Sequence, residues 1–287
     1  MTRIAYLGPA GTFTEEAARR FALPDAEYVP VDSPAAALAA VRGGGADVAA
    51  VAIENSVDGA VTATTDALVA PGAQILAETE LAIAFAVMTR RGFSLADATT
   101  LATHPVAFQQ VKGWMAEHAA GVKFVPATSN AAAAQMVAAG EADAAAAPLR
   151  AAELFDLQVH ATGVADMDTA RTRFLLVGPE GTPPAPTGDD RTSVVFQTPN
   201  EPGALVAILE EFAERGVNMT RIESRPTRRE PNTYNFFVDL AGHVAGTDTG
   251  AGTGSATGAV ADALDAVRGR ASWYRFLGSW PRASRLD

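Results

Sequence analysis

VPVDSPAAALAAVRGGGADVAAV at residues 29–51 and VPATSNAAAAQMVAAGEADAAAA at residues 125–147 read as two copies of one pattern. Laid together at an offset of 96 they agree at 12 of 23 positions. Six of these are Ala–Ala pairs, so the weight rests on Val29/Val125, Pro30/Pro126, Ser33/Ser129, Val41/Val137, Gly44/Gly140 and Asp47/Asp143. Pro9 and Pro105 fall on the same offset. Each copy reads as a strand, a Ser at an N-cap, a helix closed by Gly, and an Ala-Asp step into a buried strand. One account is a strand–helix idiom shared in Ala-rich sequence. The other is two similar α/β lobes facing across a cleft. Such a cleft suits a small anion, because helix N-termini of both lobes can turn N–H groups into it.

Outward from the repeat, short apolar runs alternate with helical ones, which implies α/β layering with largely parallel sheets. Strands are predicted at Ile4–Leu7, Tyr28–Val31, Val48–Ile53, Leu81–Met88, Thr100–Thr103, Lys123–Pro126 and Phe174–Val177. Helices are predicted at Thr14–Phe21, Pro34–Arg42, Thr62–Leu68, Val106–His118 and Asn130–Ala139. Pro179–Gly188 is too rich in Pro and Gly for an element, so the chain divides into 1–178, a linker over 179–191, and 192–282. The last part reads β-α-β-β-α-β (Thr192–Thr198, Gly203–Arg215, Val217–Arg225, Thr233–Ala241, Ala259–Arg268, Trp273–Trp280), a ferredoxin-like unit. Gly/Thr-rich Val244–Gly258 is expected to be a loop within it.

Composition narrows the function. Over 287 residues, 22 Lys and Arg face 33 Asp and Glu, a net charge of −11 with no basic stripe, which argues against nucleic acid and anionic membrane. No apolar run reaches the ~18 residues of a transmembrane helix. Met1-Thr2-Arg3-Ile4 runs directly into a strand without a secretory apolar region, so a cytoplasmic protein is expected. With no cysteine there is no disulfide or thiol nucleophile, and the four histidines show no ligand spacing, so no metal is expected.

Three segments of the first part carry candidate chemistry. Gly8-Pro9-Ala10-Gly11-Thr12-Phe13-Thr14 follows the first strand, and Thr12 or Thr14 can cap the next helix with a Glu nearby. Glu54-Asn55-Ser56 ends a buried strand, where open α/β sheets bind ligands. Arg171-Thr172-Arg173-Phe174 sets two cations around a hydroxyl. In the second part, Asn200-Glu201-Pro202-Gly203-Ala204-Leu205-Val206 opens a helix, and Glu223-Ser224-Arg225-Pro226 closes a strand.

In this order the segments resemble the prephenate dehydratase family, joined to a C-terminal ACT regulatory domain. Tyr6–Phe13, Ile53–Ser56 and Thr172–Phe174 match the three catalytic signatures, while Gly203–Val206 and Glu223–Pro226 match the two phenylalanine-site motifs. The resemblance implies a two-lobed module like a periplasmic binding protein. It implies conversion of prephenate to phenylpyruvate without a cofactor, and allosteric feedback by L-phenylalanine bound between subunits of a homodimer or homotetramer. Thr172 is the implied catalytic residue. Arg173, Phe174, Glu54, Asn55, Ser56, Gly11, Thr12, Phe13, Ser129 and Asn130 are the implied substrate contacts. Asn200, Gly203, Ala204, Leu205, Val206, Asn218, Glu223, Ser224, Arg225 and Pro226 are the implied effector contacts. Glu54, unsuited to face a dianion while ionised, is either protonated by burial or turned toward Asn55, Ser56 or an arginine. Family members carry Asn two or three residues before the motif Thr, where this chain has Thr169-Ala170, which leaves open what orients Thr172. Alternative readings are arogenate dehydratase and a two-lobed ligand sensor without turnover.

Overall fold

The computed structural model describes residues 1–167, 169–246 and 258–283. Residues 247–257 of the predicted Gly/Thr-rich loop, and Asp168, lie outside the described residues. The chain forms two compact units, one of Met1–Val61 with Glu80–Phe174, the other of Thr62–Thr79 with the described part of Leu175–Arg285.

The first unit holds both copies of the repeat. Its first lobe contains β1 (Thr2–Leu7), α1 (Phe13–Arg20), β2 (Ala26–Val31), α2 (Pro34–Arg42), β3 (Val48–Asn55) and the short β4 (Gly59–Ala60). The chain then passes through α3 (Thr62–Leu68) and β5 (Gln74–Ala82). The second lobe contains β6 (Ala86–Thr89), β7 (Thr100–Thr103), α4 (Pro105–His118), β8 (Lys123–Pro126), α5 (Asn130–Ala139), β9 (Ala144–Ala147), α6 (Leu149–Leu154) and β10 (Gln158–Thr162). β11 (Arg171–Gly178) begins in this unit and ends in the other.

The two lobes share a sheet order, β2-β1-β3 in one and β8-β7-β9 in the other, all parallel. Ser33 and Ser129 cap α2 and α5 alike, accepting from Ala36 N and Ala132 N at 3.0 Å each. Asp47 accepts from Arg3 N at 2.7 Å, and Asp143 from Thr99 N and Thr100 N at 2.9 and 3.1 Å. The copies therefore agree in their capping and in the carboxylate that ties the third strand's approach to the first strand.

The register adds a correction. Ile4 pairs with Tyr28 and Val48, whereas Leu101 pairs with Phe124 and Ala144. The second and third strands keep the offset of 96, but β7 sits at 97, one residue out of step with β1. Pro9 and Pro105 share an offset without sharing a place: Pro9 lies in the loop ahead of α1, while Pro105 opens α4. The predicted strand Leu81–Met88 is likewise two strands, β5 and β6, in different sheets. At the break Ile83 N leaves the run and donates to Ala170 O at 2.9 Å.

The second unit contains β12 (Asp190–Gln197), α7 (Ala204–Glu214), β13 (Met219–Pro226), β14 (Tyr234–Ala241), α8 (Ala259–Arg270) and β15 (Trp273–Pro281), the predicted βαββαβ order. Its strands run β13-β14-β12-β15, antiparallel, with β13 at the edge. Alternation sends Val194, Phe196, Val238 and Leu240 to one face, against Ile208 and Phe212 of α7 and Val260 and Leu264 of α8. The opposite face carries Arg191 and Asp239 beside the buried Val195 and Phe237, and is occupied by 62–79. Arg191 there meets Glu78 and Asp239 at 3.4 and 3.8 Å, all three nearly buried, and Arg275 donates to Ala73 O at 2.8 Å. Gly278 pairs with Ile75, and a Cβ on it would come within 2.4 Å of Ile75 O, so only glycine fits.

Candidate functional site

The site is built where loops of the first unit converge. Thr12 is the N-cap of α1, accepting from Glu15 N, while the buried Glu15 carboxylate accepts from Gly11 N at 2.5 Å and pairs with Arg19. The helix start thus holds the glycine turn that precedes it. Burial and the charge of Glu15 push the Tyr6 phenol up to about 12. Gly11 adopts φ +87, and a Cβ there would stand 3.4 Å from Ala151 Cα and Leu154 Cδ2 and 3.5 Å from Ala131 Cβ. Its conformation calls for glycine, while the space beside the second lobe would admit a Cβ in ordinary contact. This proximity sets the turn beside the start of α5. There Ser129 spends its hydroxyl on the cap, and Asn130 Oδ1 accepts from His104 N at 3.2 Å and Thr103 Oγ1 at 3.3 Å.

The loop after β3 meets the start of β11 residue by residue. Ser56 N donates to Arg171 O at 2.8 Å, and Arg171 N donates to Ser56 Oγ at 2.9 Å. Glu54 turns toward an arginine, Arg173, at 3.6 Å. Asn55 Nδ2 donates to Thr172 Oγ1 at 2.8 Å, and Asn55 Oδ1 accepts from Val57 N and Asp58 N at 2.8 and 3.0 Å. Those two backbone donors fix which way the amide faces. Thr172 is therefore an acceptor toward Asn55, and its own O–H can donate only to a group other than that Nδ2. On the question left by Thr169-Ala170, the neighbour bonded to Thr172 is Asn55, while Thr169 is exposed and Ala170 is buried.

Phe174 and Phe13 support this site from below. Phe174 is 2% exposed in a core cluster shared with Phe85, Val111 and Ala170, and Phe13 packs edge-on to Phe85 with centroids 5.5 Å apart. Sequence reasoning did not find Thr103 and His104, whose bonds set Asn130. The only signal for them lies in the repeat, which makes the end of β7 the counterpart of the end of β1.

In the second unit, Gly203 caps α7 at φ +82 with Ala204–Val206 as its first turn. Leu205 packs on the core and Val206 is exposed. Asn200 and Asn218 are exposed, and Asn218 O accepts from Ala241 N at 2.8 Å. On β13, Glu223 pairs with Arg221 and Arg225 with Asp66, while Ser224 and Pro226 are exposed. Beside them a groove of about 660 Å³ is lined by Asp66, Pro71, Gln197, Arg228, Asn235 and Trp273. Among the described residues no group of three His, Asp or Glu comes together as for a metal, and no helix is long and apolar enough to cross a membrane.

Comparison with known proteins gives the family. The family model for prephenate dehydratase matches residues 4–182 and that for the ACT domain matches residues 192–245. This chain belongs to the prephenate dehydratase family. A prephenate dehydratase of Corynebacterium glutamicum is 53% identical over 98% of this chain and 88% of its own, and one of Mycobacterium tuberculosis is 50% identical over 98% and 87%. The crystal structure of prephenate dehydratase from Arthrobacter aurescens in complex with L-Phe is 41% identical, with TM-score 0.86 over 98% of this chain and 90% of that one. A structure described as GqqA, a novel type of quorum quenching acylase, is 32% identical with TM-score 0.86 over 99% and 98%.

Proposed function

We propose that this chain is a prephenate dehydratase, converting prephenate to phenylpyruvate, carbon dioxide and water, with L-phenylalanine as feedback inhibitor. The observation that carries the reading is the Asn55–Thr172 bond. Loss of the ring carboxylate as carbon dioxide sends an electron pair into the ring, the ring becomes aromatic, and the ring hydroxyl departs with its bonding pair and takes up a proton. Aromatisation supplies the driving force, so the protein's task is to hold a dianion and stabilise charge on the leaving oxygen. Thr172, with its inner lone pair engaged by Asn55, donates its O–H to that oxygen and strengthens the bond as charge builds. Arg173 is the group for a substrate carboxylate, its planar fork held in place by Glu54. The N-terminus of α5, with Ser129 and Asn130, faces the Gly11 turn and supplies further N–H groups for the second carboxylate.

An acylase would need a base beside the hydroxyl. Thr172 has an amide there, so the geometry favours elimination over acyl transfer. Effector binding at Asn200, Gly203–Val206, Asn218 and Glu223–Pro226, between paired ACT domains of a homodimer or homotetramer in the cytoplasm, completes the proposal. Its support is the L-Phe complex of the Arthrobacter relative and the β13 edge strand, whose outer side has no partner strand among the described residues.

The test is turnover of prephenate by the purified protein, followed by phenylpyruvate absorbance with and without L-phenylalanine, with arogenate in parallel. Prephenate turnover that falls with L-phenylalanine supports the whole reading. Faster turnover of arogenate would reassign the substrate, and inertness toward both would make the protein a sensor.

A further inference from the structure

The catalytic loop and the effector strand are linked by a short run of chain. Glu54 and Asn55 end β3, and β4 folds back on them, Glu54 pairing with Ala60 and Asn55 with Gly59, while Val61 N donates to Ile53 O at 2.9 Å. α3 begins at the next residue, Thr62. Arg225 donates to its Asp66 twice, Nε to Oδ1 at 3.2 Å and Nη2 to Oδ2 at 3.1 Å. A second cation, Arg228, stands 3.6 Å from the same carboxylate. Arg225 belongs to the Glu223–Pro226 motif and its side chain is 19% exposed, against 75% for Arg228. Thr64, Thr65 and Leu68 are buried, so α3 responds as a body to a pull on Asp66.

A coupling contact must differ between two states of a protein, or an effector cannot shift the balance between them. The buried Glu78–Arg191–Asp239 cluster is poorly suited to this, because separating its charges leaves them unpaired out of water. Asp66 is suited to it. It is partly exposed, where an ion pair is worth little, and it has two cations in reach on one strand and the turn after it. A carboxylate that can pass from Arg225 to Arg228 has two discrete arrangements.

We propose that Asp66 couples the effector site to the catalytic loop. An effector on β13 draws Arg225 away, Asp66 passes to Arg228, and α3 moves the β3–β4 turn, and with it Asn55, off the Thr172 hydroxyl. The inference rests on the reading of Glu223–Pro226 as the phenylalanine site.

Asp66→Asn keeps the shape and removes the charge, and Asp66→Glu keeps the charge. Each is compared with the wild type for prephenate kcat and KM, inhibition by L-phenylalanine, and L-phenylalanine binding by calorimetry. Without effector both variants should remain within about twofold of wild type, as expected for a partly exposed pair. Asp66→Asn should still bind L-phenylalanine yet retain about fivefold or more of the activity that wild type keeps at saturating effector. Asp66→Glu should recover inhibition. Wild-type inhibition in Asp66→Asn would overturn the proposal. Loss of binding together with inhibition would also overturn it, by making Asp66 part of the effector site. A wild type indifferent to L-phenylalanine would overturn the regulatory reading itself, a result that needs no variant.

Discussion

At the scale of single residues the proposed chemistry depends on the Thr172 hydroxyl, which accepts from a neighbour 117 residues away in sequence. Thr172→Val removes the donor and should lower kcat by about 10²–10³, while Thr172→Ser should lose far less. Equal losses in both folded variants would count against the hydroxyl. Asn55→Asp replaces an N–H donor with an acceptor, so Thr172 would turn its proton inward. kcat should fall by about 10², the scale of a lost transition-state donor, with KM changed little. A fall confined to KM would make Asn55 a binding residue only. Thr172 was legible in the sequence as part of Thr172-Arg173-Phe174, and Asn55 as part of Glu54-Asn55-Ser56. Their bond was not, because it depends on β3 and β11 lying side by side.

At the scale of elements, the repeat was legible because caps and turns use few residue types. Ser33, Ser129 and Gly140 do what their chemistry predicts, and α5 spans the predicted residues. What escaped was β10, an exposed edge strand without alternation, and α6, lost in Ala-rich sequence that carries no period. Ser33→Ala should cost about 1 kcal/mol in chemical denaturation and leave turnover intact. Asp143 gives a pH prediction. Bonds from the Thr99 N–H and hydroxyl, then those of Thr100, hold its carboxyl below the usual carboxylate range. With a native pKa below the unfolded value of about 3.9, its contribution is complete above that value and is lost as pH falls through the native one. The stability gap between wild type and Asp143→Asn should therefore be constant at neutral pH and close in acid. A gap that persists there would show that shape, and not charge, is what Asp143 contributes.

At the scale of the whole molecule, the division into a catalytic part and a ferredoxin-like part was legible, but the place of 62–79 was not. The sequence offers Glu78 and Glu80 inside an apolar run, a pattern that weakens a strand reading. The structure explains Glu78 by giving it Arg191, which also meets Asp239, on the face of the second unit's sheet opposite its helices. Arg191→Met would remove the cation that two buried carboxylates share and should cost about 3–5 kcal/mol, read as a lowered unfolding midpoint. An unchanged midpoint would mean that solvent reaches the cluster.

The contact of Gly11 with Ala131, Ala151 and Leu154 has a kinetic consequence. If a ring-shaped molecule passes between this turn and the second lobe, where a Cβ at Gly11 would already be in van der Waals contact, the turn has to lift away. Passage then works against the friction of the solvent. If release of phenylpyruvate limits turnover, kcat of the wild type should decline as sucrose raises the viscosity, whereas slow Thr172→Val, limited by bond breaking, should be indifferent to it.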